Sequence, residues 1–373
     1  MSKKIIISGG GTGGHIFPAI AIANALKQLE KDIDILFVGA QGRMEMEKIP
    51  AAGYRIIGLS VAGLQRRLSW QNLLFPFRVL HSLQQASQII EAYQPDAVAG
   101  VGGYASWPVL EMAARKKIPV VIQEQNSYAG LANRLLGKKA SKIFVAYDGM
   151  EKYFPKEKII KTGNPVRQDL VNLQEKKNEA MKYFNLTAGE KVILVIGGSL
   201  GARTINQAIA GGVHRIIEAG YQLIWQCGKI YYEEIKKNLS ADMLSQVHLY
   251  DFISRMDLAY AAADVIVSRA GAGSIAELCM AGKPAILIPS PNVAEDHQTR
   301  NAMALADKQA AVVIKDEEAI EKLPSALLQL LDDKEQCAQL STAIASMAVK
   351  DASLRIAKEI LCLIDENRDK KRK

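Results

Sequence analysis

Short runs of β-branched and aliphatic residues alternate along this chain with longer stretches whose apolar positions recur every three or four residues. The first pattern suits strands buried in a parallel sheet, the second helices packed over them. The early strand-like runs are Lys4 to Ser8, Ile35 to Val38, Tyr54 to Leu59, Ala97 to Val101, Pro119 to Gln123 and Lys142 to Ala146. The alternation pauses at Gly163-Asn164-Pro165-Val166-Arg167 and a lysine-rich helical stretch. It resumes with Lys191 to Ile196, Gln222 to Gln226, Val247 to Tyr250, Asp264 to Ser268, Ala285 to Pro289 and Ala311 to Ile314. Two such series predict an α/β protein of two doubly wound, Rossmann-like domains, residues 1–164 and 165–345. The remaining segment, 346–373, holds a helix from Ser353 to Ile364 whose apolar face suits packing back on the first domain. The charged tail Asp365 to Lys373 is expected to be disordered.

At 373 residues, 49% of them hydrophobic, the chain is long enough for two cores. A formal net charge of +8 asks for an anionic partner: a phosphate-bearing substrate, a nucleic acid or an acidic membrane. Cys227, Cys279, Cys337 and Cys362 form no CxxC pair and sit in apolar surroundings, so buried, reduced thiols in a cytoplasmic setting are expected. Lys3, Lys4 and Ile5 to Ile7 precede Ser8, too short an apolar core for a signal peptide, and no apolar run reaches membrane-spanning length. Membrane contact is therefore expected to be peripheral.

In doubly wound sheets ligands bind beyond the carboxyl ends of the strands. Ser8-Gly-Gly-Gly-Thr-Gly-Gly-His15 follows the first strand and leads into a predicted helix from Pro18 to Leu29. Its glycines permit close approach of an anion or sugar, and a helix N-terminus favours negative charge. Gly9, Gly11 and Gly14 also satisfy GxGxxG, the fingerprint of a dinucleotide-dependent oxidoreductase. The acid that such enzymes place at the end of the second strand is missing from Phe37-Val38-Gly39-Ala40-Gln41. Further glycine loops, Gly100 to Ser106 and Gly197 to Ala202, follow a later strand of the first domain and the first strand of the second. Three such loops suggest domains facing each other across a cleft that grips a diphosphate-linked ligand. None is a P-loop.

In the second series, Ser268-Arg-Ala-Gly-Ala-Gly-Ser-Ile-Ala-Glu277 runs from strand to helix. Glu277 has two acceptor oxygens suited to a ribose diol, while Ser274 and Glu277 also have capping-box spacing. Asp296-His297-Gln298 opens another helix. Gln298 can both donate to and accept from sugar hydroxyls, as can any polar first turn.

With Gly9 to Ala19, Gly102 to Ser106, Glu124-Gln125-Asn126, Gly163 to Arg167, Gly197 to Ala202, Arg269 to Ser274 with Glu277, and Asp296 to Gln298 in this order, the chain resembles the MurG family of peptidoglycan N-acetylglucosaminyltransferases, in glycosyltransferase family 28, over nearly its full length. The resemblance implies a GT-B fold. It also implies inverting transfer of N-acetylglucosamine from UDP-N-acetylglucosamine to the muramyl 4-hydroxyl of lipid I, giving lipid II for peptidoglycan synthesis. By the same resemblance, Glu277 holds the ribose, the Ile253 backbone reads uracil, Ser199 and Arg167 attend the diphosphate, and His297 and Gln298 contact the donor sugar. His297 departs from the glutamine that some relatives carry. Thr12, Gly13, Gly14 and Asn126 are also expected near the donor, and Gly11, Gly14, Gly103, Tyr104, Asn126 and His15 on the acceptor side. His15 is the candidate base, since a neutral imidazole accepts a proton at cytoplasmic pH; a structural or acceptor-positioning role is the alternative.

Backbone N–H groups at Gly197 to Ala202, the following helix and Arg167 can meet the diphosphate charge, so no metal or other cofactor is expected to be required for the diphosphate. The one DxD string, Asp32-Ile-Asp34, precedes a strand and reads as solvated turn charge. The stretch from Leu64 to Leu80 combines large apolar residues with Arg66, Arg67 and Arg78. Trp70, Leu74, Phe75, Phe77 and Arg78, with Lys138 and Lys139, are expected to dock on an anionic bilayer; the alternative is a core-packed helix with snorkelling arginines. The implied setting is peripheral, on the cytoplasmic face of a bacterial plasma membrane, with cell-wall synthesis proteins as possible partners and no nucleic acid. Competing readings are another GT-B UDP-sugar enzyme (a diacylglycerol glycosyltransferase or an epimerase), an NAD-dependent oxidoreductase, and a non-catalytic nucleotide-sugar-binding protein.

Overall fold

A computed structural model describes residues 2–61, 75–198, 200–240, 242–293 and 296–372. The chain forms two compact units, Met1–Arg167 with Asp351–Lys373, and Gln168–Lys350.

The first unit is built on seven parallel strands: β1 (Lys4–Ser8), β2 (Asp34–Ala40), β3 (Arg55–Leu59), β4 (Ala97–Gly100), β5 (Val120–Glu124), β6 (Lys142–Val145) and β7 (Ile159–Lys161). Their order is β3-β2-β1-β4-β5-β6-β7, so the winding reverses between β1 and β4. Helices α1 (Gly13–Leu29), α2 (Glu45–Ala51), α3 (Phe75–Tyr93), α4 (Ser106–Arg115) and α5 (Leu131–Leu136) cover it. The strand period of two divides β1 between two cores: Ile5 and Ile7 pack with the α1 residues Ile16, Ile22 and Leu26, and Ile6 with Ala86, Ile90 and Leu110 of α3 and α4. The short, half-buried strand β7 carries too few apolar positions to have been expected.

Helix α1 begins five residues before the predicted Pro18, so Gly13, Gly14 and His15 form its first turn and the glycine loop proper is shorter. Pro18 lies inside the helix, where it lacks the N–H that would bond the Gly14 carbonyl.

The second unit repeats the plan with β8 (Val192–Ile196), β9 (Gln222–Gln226), β10 (Val247–Tyr250), β11 (Val265–Ser268), β12 (Ala285–Leu287) and β13 (Val312–Val313). The order is β10-β9-β8-β11-β12-β13, all parallel, reversing between β8 and β11. Its helices are α6 (Lys177–Tyr183), α7 (Arg203–Glu218), α8 (Tyr232–Asn238), α9 (Met256–Ala262), α10 (Ala272–Ala281), α11 (His297–Ala306), α12 (Ala319–Asp332) and α13 (Lys334–Ser346).

The last helix, α14 (Ala352–Arg372), belongs to the first unit. Ile356, Ala357, Ile360 and Ile364 are fully buried in the core that α1 shares with β1. The tail expected to be disordered is instead helical to Arg372. Arg368 bonds the Asp96 carboxylate at 2.6 and 2.9 Å and the Ser2 carbonyl at 2.8 Å, and Lys3 meets Asp365 at 2.9 Å. These contacts hold a charged segment that its composition alone would leave in solvent. All four cysteines are free thiols; Cys227 and Cys279 are buried, but Cys337 is half-buried and Cys362, on the outer face of α14, is exposed, contrary to expectation.

Candidate functional site

At the switch point of the first sheet, the loops after β1 and β4 touch backbone to backbone. Gly10 N–H donates to the Gly102 carbonyl at 3.3 Å, and a Cβ on Gly103, where φ is +90°, would lie 2.3 Å from the Gly10 carbonyl oxygen. Only glycine is tolerated there. A residue the sequence reading passed over secures this junction. Glu45, fully buried at the start of α2, accepts from the N–H of Gly11 and of Ala40, both at 2.9 Å. An acid near the end of β2 is thus present, four residues beyond Gln41, and one of its oxygens holds the glycine loop while the other holds the end of β2. Its signal in the sequence was only an acidic residue in the following helix.

His15, half-buried in the first turn of α1, has Nδ1 3.2 Å from Gln125 Oε1, beyond the end of β5. Burial lowers its pKa from the ordinary 6.5, against the opposing pull of Glu124, the Gln125 and Val101 oxygens and Glu45, so the ring is neutral at neutral pH. Glu124 is 2% exposed and accepts from the Asn126 N–H at 3.1 Å, Gly130 N–H at 3.0 Å and Asn133 Nδ2 at 2.8 Å, tying down the loop that carries Asn126. Thr12 is exposed at the N-cap of α1, ahead of Gly13 and Gly14, and Tyr104, next to Gly103, is 63% exposed. Gly11, Gly103 and His15 are therefore gathered with Gln125 and Asn126 at the carboxyl ends of β1, β4 and β5. Arg167 belongs to this unit, its guanidinium 6.0 Å from the centre of the Phe17 ring.

In the second unit the loops after β8, β10, β11 and β12 are tied together in the same way. Gln226, at the end of β9, donates from Nε2 to the Gly198 carbonyl at 2.9 Å and accepts the Ile253 N–H at 3.1 Å. The Ile253 N–H is thus committed within the protein, which narrows the expected uracil contact to its carbonyl. A Cβ on Gly201 would fall 1.9 Å from the Cys227 carbonyl oxygen, so this glycine loop too closes on backbone. Ser199 lies outside the described residues. Asn301 Nδ2 donates to the Ala270 carbonyl at 3.2 Å, joining α11 to the loop after β11.

Helix α10 is capped by Gly271, which places Ser274 and Glu277 inside the helix and removes the capping-box reading. Glu277 is half-buried and accepts from the hydroxyl of Tyr260, a fully buried residue of α9, at 3.0 Å. No local pattern signals that pair. Gln298 Oε1 accepts the Ser290 N–H at 2.9 Å. His297 is the first residue of α11, half-buried. Arg269 bonds the Ile288 and Pro289 carbonyls and Asp316, fixing the loop between Gln298 and β12.

On α3, Phe77 and Leu80 are 70% and 63% exposed and Arg78 is exposed. Trp70 and Leu74, with Arg66 and Arg67, lie outside the described residues, and Phe75 opens the helix. On α5, Leu131 and Leu135 are also exposed, unforeseen from the sequence, and Lys138 follows them. Lys139 is engaged by Glu111 at 2.7 Å. No helix among the described residues is long and apolar enough to cross a membrane. Asp34 of the DxD string pairs with Arg55 at 2.7 Å at the amino end of β2, opposite the glycine loops.

Residues 5–145 match the N-terminal domain of glycosyltransferase family 28, and residues 192–356 its C-terminal domain. The chain is 54% identical over 363 residues to the UDP-N-acetylglucosamine--N-acetylmuramyl-(pentapeptide) pyrophosphoryl-undecaprenol N-acetylglucosamine transferase of Parabacteroides distasonis, covering 97% of this chain and 99% of that one. It is 51% identical to the protein of the same name from Flavobacterium psychrophilum, covering 98% and 99%. The crystal structure of MurG from Acinetobacter baumannii superposes with a TM-score of 0.73 at 28% identity, covering 96% of this chain and 99% of that chain.

Proposed function

Because the chain belongs to glycosyltransferase family 28, matching both of its domains in order, we infer that it transfers N-acetylglucosamine from UDP-N-acetylglucosamine to the muramyl hydroxyl of lipid I, forming lipid II. The observation that carries this reading is 54% identity sustained over 97% of the chain to a transferase of that name. The rival oxidoreductase reading loses its footing at Glu45. In a dinucleotide enzyme the acid beyond β2 holds a ribose, whereas here both its oxygens accept loop and strand N–H groups.

The second unit takes the donor. Glu277 receives the ribose diol, the Ile253 carbonyl accepts from uracil N3–H, and Gln298 and His297 meet the sugar. Ser199 with the loop around Gly197 and Gly198 and the N-terminus of α7 meet the diphosphate, so that no metal is required for it. The first unit takes the acceptor: Gly11 to Gly14 give the lipid diphosphate room, and Tyr104, Gly103 and Asn126 line the approach to His15. The muramyl oxygen attacks C1 of N-acetylglucosamine as the bond from C1 to the UDP oxygen breaks, the configuration inverts, and the hydroxyl proton passes to His15 Nε2. UDP leaves with the bonding pair. The enzyme works at the cytoplasmic face of the bacterial plasma membrane, held peripherally through α3, beside other cell-wall enzymes. The test is UDP release from UDP-N-acetylglucosamine, which should depend on a lipid I analogue; UDP release indifferent to the acceptor would remove the reading.

A further inference from the structure

Behind His15 stands a row of three side-chain amides whose orientations are fixed by backbone contacts at its two ends. Asn164 Nδ2 donates to the Gln125 main-chain carbonyl at 3.0 Å, which leaves Asn164 Oδ1 to accept from Gln123 Nε2 at 3.2 Å. Gln123 Oε1 then faces Gln125 Nε2 and accepts from it. The same Gln125 nitrogen also donates to the Val101 carbonyl at 2.8 Å. Both of its protons are committed, and Gln125 Oε1 is left pointing at His15 Nδ1, 3.2 Å away. Flipping the Gln125 amide would set its oxygen against two acceptors, the Val101 carbonyl and Gln123 Oε1. Gln123 and Gln125 are each 2% exposed and Asn164 7%, so water is a poor substitute for any of these bonds.

We propose that Asn164, Gln123 and Gln125 are positioning residues that lock His15 in the tautomer with its proton on Nδ1, so that Nε2 always presents a lone pair to the acceptor hydroxyl. An acceptor faces Nδ1 and cannot supply a proton, so the neutral ring must carry its own there. The inference deepens the transferase reading and rests on His15 as its base. Asn164 also lies four positions from Gln168, where the second unit begins, so the row runs from the catalytic ring to the chain segment that joins the units.

The charged groups near the ring are Glu45 from α2 and Glu124 from the end of β5. Neither bonds a ring nitrogen; the ring's hydrogen-bond partners are Gln125 Oε1 and the Val101 carbonyl, itself held by Gln125 Nε2, so the Gln125 amide orders the acceptors on which the tautomer depends. The experiment is a long-range ¹H–¹⁵N correlation on full-length protein labelled at its 5 histidines, with His15 identified by its loss in His15→Gln. The expected spectrum shows protonated Nδ1 and unprotonated Nε2. Gln125→Met, which cannot accept, should show mixed tautomers and lower kcat about tenfold or more at unchanged KM for UDP-N-acetylglucosamine. Gln125→Glu should keep the tautomer but move the acid limb of the pH profile upward by about one unit, because a carboxylate stabilises the imidazolium. A wild-type ring protonated on Nε2 overturns the inference even if neither variant folds, and so does wild-type kcat in Gln125→Met. Acceptor-independent UDP release by the wild type would instead sink the transferase reading, leaving the tautomer measurement intact.

Discussion

At the scale of single residues, the site is a set of reactive groups held by neighbours that do no chemistry. Because burial lowers the His15 pKa, protonation would remove the proposed base only below the ordinary imidazole value. The acid limb of kcat/KM should therefore fall below pH ~6.5, with the free-base form and full activity above it; a limb at or above that value contradicts the assignment. In the second unit Tyr260 plays the same supporting part for Glu277. Its hydroxyl orients the Glu277 carboxylate, and Tyr260→Phe keeps the ring in the core while removing that bond. KM for UDP-N-acetylglucosamine should rise roughly threefold to tenfold, as one neutral-to-charged hydrogen bond allows, with kcat little changed. Steady-state kinetics with acceptor saturating separates the two effects. His15 and Glu277 stand out in the sequence because they sit in glycine-rich stretches at strand ends. Glu45, Tyr260 and Gln226 do not, because each reaches its partner only across the fold.

Among the elements, the β-strands were the most legible, since strands buried on both faces must be apolar throughout. Helix starts were harder: α1 begins on two glycines, whose low helical propensity gives no sign of a helix in the sequence. The same scale explains how α9 is anchored. Asp257, 2% exposed, meets Lys176 at 2.9 Å and Arg255 at 2.9 and 3.0 Å. Burial alone would raise its pKa; the two cations outweigh it and hold the carboxyl well below the usual carboxylate range. A depressed folded pKa gives stability that is present above the unfolded value of about 3.9 and lost as pH falls through the folded one. Asp257→Asn should cost about 3 kcal/mol at neutral pH, the low end for a broken buried pair because Arg255 is 43% exposed, and should flatten the acid branch of the stability curve. Urea melts from pH 7 to 3 measure both. On α3, changing exposed Phe77 to serine should weaken co-sedimentation with anionic liposomes severalfold; undiminished binding would count against docking through this helix.

For the molecule as a whole, the consequential feature is that the first unit is discontinuous. Three isoleucines of α14 complete the core beneath α1, and their burial is worth about 5 kcal/mol or more. Deleting residues 351–373 should therefore unfold the first unit, which contains the other end of the chain, while the second retains UDP binding. Limited proteolysis with UDP titration reads out both; a first unit that stays resistant would contradict the role given to α14.

The sequence alone determined the two α/β units, the strands that build them and the glycine loops at their carboxyl ends. Each of these rests on residues close in the chain: apolar runs, glycines and the turns between them. The tertiary structure alone decided that the charged tail is helical and pairs with Asp96, that an acid beyond β2 serves the loop, and that Gln226 takes the Ile253 N–H. It also set that the Gln125 amide turns its oxygen, not its nitrogen, toward His15. Those outcomes depend on partners brought together by folding from separate strands and helices. An amide or carboxylate has no fixed role until burial denies it water and leaves it a single set of neighbours.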